Sequence, residues 1–358
     1  TADTYNVAVG YQAGTLITSG TLNTIMGGLA GDALTTGEKN VAIGHNALTT
    51  EDTGSRSVAI GHGTLRYQNN DASNYNTAVG YDAGTNITTA VQNTLIGGLA
   101  GDALNLGSGN VAIGYSALSN EDGHGRNVAI GWRSLLVQNA GADAYNVAVG
   151  YDTGRQITTG AQNTIIGGLA GDALTTGHYN IALGYAALST EDAYGANVAI
   201  GANALLTLNA GADGFNVAIG HDAGKLMTTG INNTLVGSFS GDALTSGFDN
   251  TFIGKHCGGR TTIGNNNVAM GDNALSVNVA GDRNVAIGEG ALSVMTAAST
   301  TDTHNTAVGY RSGLAVTSGV DNTLLGASAG DALTTGDNNI IIGYNAAASA
   351  VGVDNETV

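Results

Sequence analysis

The chain of 358 residues contains 57 glycines, no proline and one cysteine. Charged residues make up 11 % of it, and the formal net charge is −17. An acidic chain with so few lysines and arginines is poorly suited to nucleic acids or anionic lipid surfaces. The apolar runs are also far shorter than the roughly 20 residues of a membrane-spanning helix. The composition therefore predicts no nucleic-acid partner and no membrane insertion.

The sequence repeats a unit that begins Asn-x-x-x-Gly. Up to residue 216 the units follow one another in steps of 17, 17, 17 and 19 residues, which gives a superperiod of 70. Beyond that come four steps of 17, one of 21 and two more of 17. Ser57 is the one start that is not asparagine. The 20 starts are Asn6, Asn23, Asn40, Ser57, Asn76, Asn93, Asn110, Asn127, Asn146, Asn163, Asn180, Asn197, Asn216, Asn233, Asn250, Asn267, Asn284, Asn305, Asn322 and Asn339.

The length of the unit predicts the architecture. Seventeen residues are too few for a helix pair or a propeller blade, but they suit one turn of a β-solenoid. Each asparagine precedes a β-branched segment such as VAIG (41–44), whose glycine permits a positive φ at a corner. Stacked in register, the asparagines would form a ladder of side-chain amides. We therefore predict an all-β fold, a parallel β-solenoid or β-roll of about 20 turns.

Both faces of the predicted strand are apolar. Val41 and Ile43 share one face, and Ala42 points to the other. A strand that is apolar on both faces is usually buried on both, whereas the tube of one chain covers one face. The second face predicts a partner, most simply another copy of the chain, and Asp at Ile165 is expected to disrupt that assembly. In the second unit of each superperiod the middle residue is larger: Ile25, Leu95, Ile165, Leu235 and Leu324.

Two kinds of protein carry similar repeats. The strings NTAVGYDAG (76–84) and NVAIGYSAL (110–118) resemble the repeat region of phage tail fibres that carry a C-terminal intramolecular chaperone. They are also similar to the head domains of trimeric autotransporter adhesins, whose usual repeat is shorter than 17 residues. The final stretch AAASAVGVDNETV (346–358) resembles the junction that precedes the fibre chaperone, which favours the fibre.

The fibre resemblance implies a homotrimer with a solenoid domain over residues 1–344 and a junction segment over 345–358. It implies a structural and adhesive part of a virion tail fibre, with a host-surface glycan or protein as a further partner. The first alternative is the head of a bacterial trimeric adhesin at the cell surface. The second is a polysaccharide-degrading fibre domain.

An aromatic residue or histidine follows the repeat glycine in 11 of the 20 units. Aromatic rings at this offset could stack on sugar rings, or they could pack at the corner or between subunits. Both interpretations stay open on the sequence. The candidate glycan contacts are Tyr11, Tyr81, Tyr115, Trp132, Tyr151, Tyr185, Tyr310 and Tyr344, and the histidines of this set are His45, His62 and His221.

The acidic and reactive residues predict no catalytic centre, metal site or cofactor, and we expect no enzyme. One Asp of each GDAL string per four turns is far from the six to eight oxygens of a calcium site, so turn capping is predicted. The segments around Glu51, Glu121 and Glu191 are predicted to be solvated loop tips. The stretch GKHCGGR (254–260), which contains Cys257, is predicted to be a variant corner. The GDAL aspartates are Asp32, Asp102, Asp172, Asp242 and Asp331.

Overall fold

The computed structural model describes residues 3–296 and 301–358. These residues form short parallel strands joined by turns, and no helix occurs among them. The chain divides into two compact units, of which unit 1 ends at Tyr179 and unit 2 begins at Asn180. Each unit is an all-β parallel solenoid with one principal strand per turn. The fold class predicted from the 17-residue repeat is confirmed for each unit.

Unit 1 has strands of three residues, one for every repeat. Each strand pairs in parallel with the strand of the next turn, in register, so that Ala42 lies beside Ala59. The strands are β1 (Val7–Val9), β2 (Thr24–Met26), β3 (Val41–Ile43), β4 (Val58–Ile60), β5 (Thr77–Val79), β6 (Thr94–Ile96), β7 (Val111–Ile113), β8 (Val128–Ile130), β9 (Val147–Val149) and β10 (Thr164–Ile166).

Unit 2 repeats this arrangement. The longest step, 21 residues, accommodates an extra two-residue parallel pair, β17 with β19. The strands are β11 (Ile181–Leu183), β12 (Val198–Ile200), β13 (Val217–Ile219), β14 (Thr234–Val236), β15 (Thr251–Ile253), β16 (Val268–Met270), β17 (Gly281–Asp282), β18 (Val285–Ile287), β19 (Thr301–Asp302), β20 (Thr306–Val308), β21 (Thr323–Leu325) and β22 (Ile340–Ile342).

The predicted asparagine ladder is present, and its side chains form hydrogen bonds with backbone groups as well as with one another. The side-chain oxygen of Asn23 accepts the backbone N–H of Asn40 at 2.9 Å. Its amide nitrogen donates to the carbonyl of Gly37, 14 residues on, at 2.9 Å, and to the Asn6 side chain at 3.2 Å. The same bonds recur in unit 2, where the Asn250 amide lies 3.0 Å from the Asn233 oxygen. An asparagine such as Asn23 therefore joins the start of its strand to the next turn and to a distant corner, whereas the amide nitrogens of Asn110 and Asn127 are buried without a hydrogen-bond partner.

The glycine that closes each strand is required by close backbone packing. Gly44 has φ of 135°, a conformation that L side chains rarely adopt. A Cβ atom added to Gly44 would lie 2.2 Å from the carbonyl oxygen of Gly61 on the next turn. The corner thus combines a glycine-only backbone with a contact that leaves no room for a side chain.

The middle residue of each strand points into the chain's own core. Ala42, Leu95 and Ile165 have no exposed surface. The expectation that Ile165 lies where a partner would cover it is wrong, because the larger middle residues fill the interior of the solenoid. Aspartate at this position would put an unpaired charge into the core of the single chain.

The large middle residues fit because glycines lie opposite them. In the third and fourth turns of the first superperiod, where the middle residues are Ala42 and Ala59, the corner residues six positions later are the buried leucines Leu48 and Leu65. Where the middle residue is Leu95, the corners on either side are Gly84 and Gly101. A Cβ atom at Gly84 would lie 2.6 Å from Leu95 Cδ1, and one at Gly101 would lie 2.9 Å from Leu95 Cδ2. A larger residue in the strand is thus accompanied by a smaller residue at the corner, which keeps the packing density nearly constant.

Residues 345–358, assigned to a junction from the sequence, are hydrogen-bonded to the preceding turn of unit 2. The backbone N–H of Glu356 donates to the side-chain oxygen of Asn339 at 2.8 Å, as an asparagine of the ladder would do. Thr357 forms a parallel bridge with Ile340, and the N–H of Ile342 donates to the carbonyl of Val358 at 2.9 Å. The winding therefore continues through this segment.

The exchange of volume gives a test by double mutation. Leu95→Ala should lower the free energy of unfolding by about 3 kcal/mol, because it leaves a cavity between two glycine corners. Gly84→Leu alone should also destabilise the chain, because the new side chain meets Leu95. In the double variant the leucine at 84 occupies the vacated space, so part of the loss should be recovered in urea unfolding. Strictly additive losses would contradict the exchange.

Candidate functional site

The first candidate surface is the outward side of the sheet in each unit. The third residue of every three-residue strand is aliphatic or methionine, and these side chains are half-buried or exposed in the described chain. We call this surface the outer face. Its third-position residues are Val9, Met26, Ile43, Ile60, Val79, Ile96, Ile113, Ile130, Val149 and Ile166 in unit 1, and Leu183, Ile200, Ile219, Val236, Ile253, Met270, Ile287, Val308, Leu325 and Ile342 in unit 2.

The eight candidate glycan contacts all lie on the surface beside the outer face, immediately after the repeat glycine. We call them, with the three histidines at the same offset, the aromatic column. The exposed fraction of the eight ranges from 39 % for Trp132 to 86 % for Tyr344. Tyr185, Tyr310 and Tyr344 belong to unit 2, and the other five belong to unit 1.

Stacking orders part of the aromatic column. His62 lies between His45 and Tyr81, with ring centroids 5.5 and 5.3 Å apart, and Trp132 stacks on Tyr151 at 5.0 Å. In-register turns bring these rings together because the offset from the strand is constant. Gly28, Gly98 and Gly168 interrupt the column, which leaves a group of three rings between each successive pair of these glycines. Such groups present flat apolar faces with polar edges to solvent.

The guanidinium of Arg133 fixes one of these rings. Its carbon lies 4.0 Å from the centre of the Trp132 ring, a cation–π contact. The same guanidinium forms two hydrogen bonds to the carboxylate of Asp152 on the next turn, at 2.8 and 2.6 Å. Trp132 is therefore held in one orientation while remaining exposed.

A second exposed aromatic column was missed in the sequence. It occupies the position before the repeat asparagine, on the other border of the outer face. The 70-residue spacing of four of its five members is the signal that could have found it. Arg56 and Arg126 each cover a ring of this column at 5.5 Å from the ring centre. Its members are Tyr5, Tyr75, Tyr145, Tyr179 and Phe215.

The prediction that Glu51, Glu121 and Glu191 lie at solvated loop tips is wrong. All three are fully buried, and the aspartate that follows each of them is more exposed. They stand in a core column where most other turns carry an aliphatic residue, such as Leu34 and Ile87. A carboxylate without exposed surface is closed to a polysaccharide, which removes these residues as candidates for its hydrolysis.

Each buried glutamate anchors the loop of a 19-residue turn. The Glu51 carboxylate accepts bonds from the Gly54 N–H at 2.7 Å, the Gln68 amide at 2.9 Å and the Asn74 amide at 3.0 Å. Glu191 accepts the N–H groups of Tyr194 and Ala210, both at 3.3 Å. Burial raises the pKa of all three glutamates, because it penalises the charged form more than these bonds compensate.

Cys257 is a core residue. Its side chain has no exposed surface, and its Sγ lies 3.1 Å from the carbonyl oxygen of Ala269. Burial raises the pKa of the thiol to about 12, so the thiolate needed for nucleophilic chemistry is scarce near neutral pH. Within the described residues, no group of three or more His, Cys, Asp or Glu side chains is placed to hold a metal ion.

Nothing helical within residues 3–296 and 301–358 has the length and apolar character needed to cross a bilayer. No protein-family model matches the chain, and no curated protein matches it either.

The buried glutamates make stability depend on pH. Because the pKa of Glu191 in the folded chain lies above its unfolded value, the site favours folding below the ordinary glutamate pKa, and that contribution is lost as pH rises through the raised folded pKa. Glu191→Gln should therefore gain stability relative to the parent as pH is raised from about 4 to 8. Urea unfolding across this range measures the difference. Asp122→Asn, at an exposed position, is the control, and a variant that tracks the parent at every pH would contradict the assignment.

Proposed function

We propose that the chain is a structural and adhesive segment of a tail fibre, in which three parallel copies associate and help a virion to recognise a host surface. The single observation that carries the proposal is the outer face. It is an aliphatic column on a parallel sheet, repeated turn after turn and left half-covered by the chain itself. Parallel sheets are ordinarily covered on both faces, and exposed apolar surfaces of this extent mark association sites.

A further copy of the chain fits the outer face better than an unrelated partner. The face has the period of the repeat, so a covering partner needs the same period to place an apolar group at every turn. Cyclic symmetry about an axis parallel to the column keeps equivalent turns of all copies at one height and closes the assembly. The number three follows from the resemblance of the repeats to trimeric fibres and adhesin heads.

The recognition role rests on the aromatic column. Its exposed rings, with hydroxyl or imidazole edges, suit the alternating apolar and polar surfaces of sugars. Repetition along the units and in three copies would link many weak contacts, which raises the effective concentration of each. The charge of −17 disfavours a phosphate-rich polymer as the ligand.

The repeat strings also support a second candidate, a bacterial surface adhesin head with the same assembly. The resemblance of 346–358 to the fibre junction favours the virion fibre. A chaperone domain encoded beyond Val358 supports the fibre, whereas a coiled-coil stalk encoded there supports the adhesin.

Assembly is tested on the outer face. Ile96→Asp should convert the trimer to monomers, because the charge would be desolvated against the neighbouring copies. Light scattering should give three times 35.5 kDa for the parent and 35.5 kDa for the variant. Leu106→Asp, at a side chain that is 56 % exposed and away from the strands, is the matched control and should remain trimeric. A parent that is a stable folded monomer contradicts the proposal.

Recognition is tested on the aromatic column. Changing Tyr81, Tyr115, Trp132 and Tyr151 together to Ser should reduce binding of labelled trimer to a panel of bacterial strains by at least about tenfold, since several linked contacts are lost. The matched control replaces Tyr5, Tyr75, Tyr145 and Tyr179 of the second column by Ser. Unchanged binding by the first variant would contradict the assignment, and loss of its trimer would show that the column is packing between subunits.

A further inference from the structure

Unit 2 contains a cavity that the repeat does not predict. Its volume is about 310 Å³, at the lower end of the range of small-molecule sites. It lies beside the stretch GKHCGGR and includes side chains from three successive turns. The lining residues are Asp242, His256, Gly259, Arg260, Asn273, Ser276 and Val277.

The cavity exists because two positions of the repeat carry smaller side chains here than elsewhere. At the position of Gly259, the three earlier superperiods have Thr49, Ser119 and Ser189. A Cβ atom at Gly259 would lie 3.2 Å from Asp242 Oδ1, so a side chain here would occupy the space beside the carboxylate. At the position of Ser276, the earlier superperiods have Arg66, Leu136 and Leu206. The space is thus opened by both substitutions.

The first substitution also removes a hydroxyl that bonds to the aspartate in other superperiods, while backbone N–H groups still bond to the Asp242 carboxylate. Asp32 accepts a hydrogen bond from the hydroxyl of Thr49, and Asp102 accepts one from Ser119. Gly259 offers no such hydroxyl to Asp242, whose carboxylate faces the cavity. Burial raises the pKa of Asp242, so this carboxylate is partly desolvated. A ligand hydroxyl at the place of the missing Ser or Thr hydroxyl would restore the bond that Asp32 and Asp102 accept.

The same turn also contributes hydrogen-bond donors and an aromatic ring to the wall of the cavity. Arg260 stands where earlier superperiods have Thr50, Asn120 and Thr190. His256 stands where they have Asn46, Ser116 and Ala186, and its ring stacks on Phe239 with centroids 4.9 Å apart. The backbone beneath them is fixed, since the N–H of Arg260 donates to the carbonyl of Ser276 at 2.9 Å. The hydroxyl of Ser276 donates to the carbonyl of Ser293 at 3.1 Å, which leaves it able to accept.

We infer that this cavity binds one pyranose ring of a glycan. The ring's hydroxyls would donate to Asp242 and Ser276 and accept from Arg260 and Asn273, which matches a molecule that both donates and accepts around its edge. Its apolar side would lie against Val277 and the His256 ring. The inference deepens the proposed adhesive function by naming a ligand and a site apart from the aromatic column, and it rests on that function for its biological role alone.

The direct test uses purified parent protein and methyl glycosides of glucose, galactose, N-acetylglucosamine and glucuronic acid at millimolar concentration, followed by saturation-transfer NMR and titration. At least one glycoside should bind. Gly259→Ser and Ser276→Leu should each weaken that binding at least about tenfold, because they refill the space and restore the missing hydroxyl. The chain carries those residues at equivalent positions, so both variants should keep the parent melting temperature.

Two further variants separate the site from its surroundings. Arg260→Thr, the residue of other superperiods, should weaken binding without changing the volume beneath it. Asp331→Asn is the control, because it alters the same GDAL motif at a turn where Ala348 lies 17 residues on and no arginine follows. This variant should bind the glycoside as the parent does. No glycoside bound by the parent, or binding that survives both refilled variants, overturns the inference. This test measures glycoside binding by the purified chain. A failure of cell binding or of trimer formation would therefore count against the proposed fibre function and not against the cavity.

Discussion

The structure depends first on the hydrogen bonds of the asparagine that begins every turn except that of Ser57. In Asn23, for example, the side-chain oxygen accepts the backbone N–H of Asn40 on the next turn, and the nitrogen donates to the carbonyl of Gly37, 14 residues on. An amide buried without such partners would cost about 1–3 kcal/mol. A single turn therefore cannot satisfy its own asparagine, and turns are stable only as neighbours. This requirement makes the fold a stack and fixes its register at one repeat.

Because the register is fixed, the residues at one position of the repeat stack into a column along each unit. The inward columns must fill a tube of constant width, so their residues vary together, as Leu95 does with Gly84 and Gly101. The outward columns carry no such restraint. They divide into an aliphatic outer face and two aromatic borders, one of which begins at Tyr5 and the other at Tyr11. The division between assembly and recognition in the proposed fibre follows from this difference in restraint.

Departures from the repeat carry as much information as the repeat itself. Glu51, Glu121 and Glu191 each place a carboxylate in a core column beside a 19-residue turn, where it accepts a backbone N–H of the longer loop. The carboxylates have fewer side-chain hydrogen-bond donors beside them along the series, since Gln68 and Gln138 are replaced by Leu208 at the third position. Around Gly259 the departure is larger, and several columns change together to form a cavity. A periodic protein gains a distinct site by such local change, because identical turns produce identical surfaces.

The sequence by itself determined the β-solenoid, its register, the asparagine ladder and the glycine corners. These features depend on local spacing and on residue types whose bonding is restricted, such as Asn23 and Gly44. It did not determine which side of a strand faces the chain's own core. Both sides are apolar, and the alternation of side chains along a strand looks the same whichever side is buried. Only the tertiary structure decided that Ile165 is interior, that Glu51 is buried and that His256 and Arg260 flank a cavity. The physical reason is that burial depends on which columns from neighbouring turns converge around a side chain, and a linear pattern does not specify that convergence.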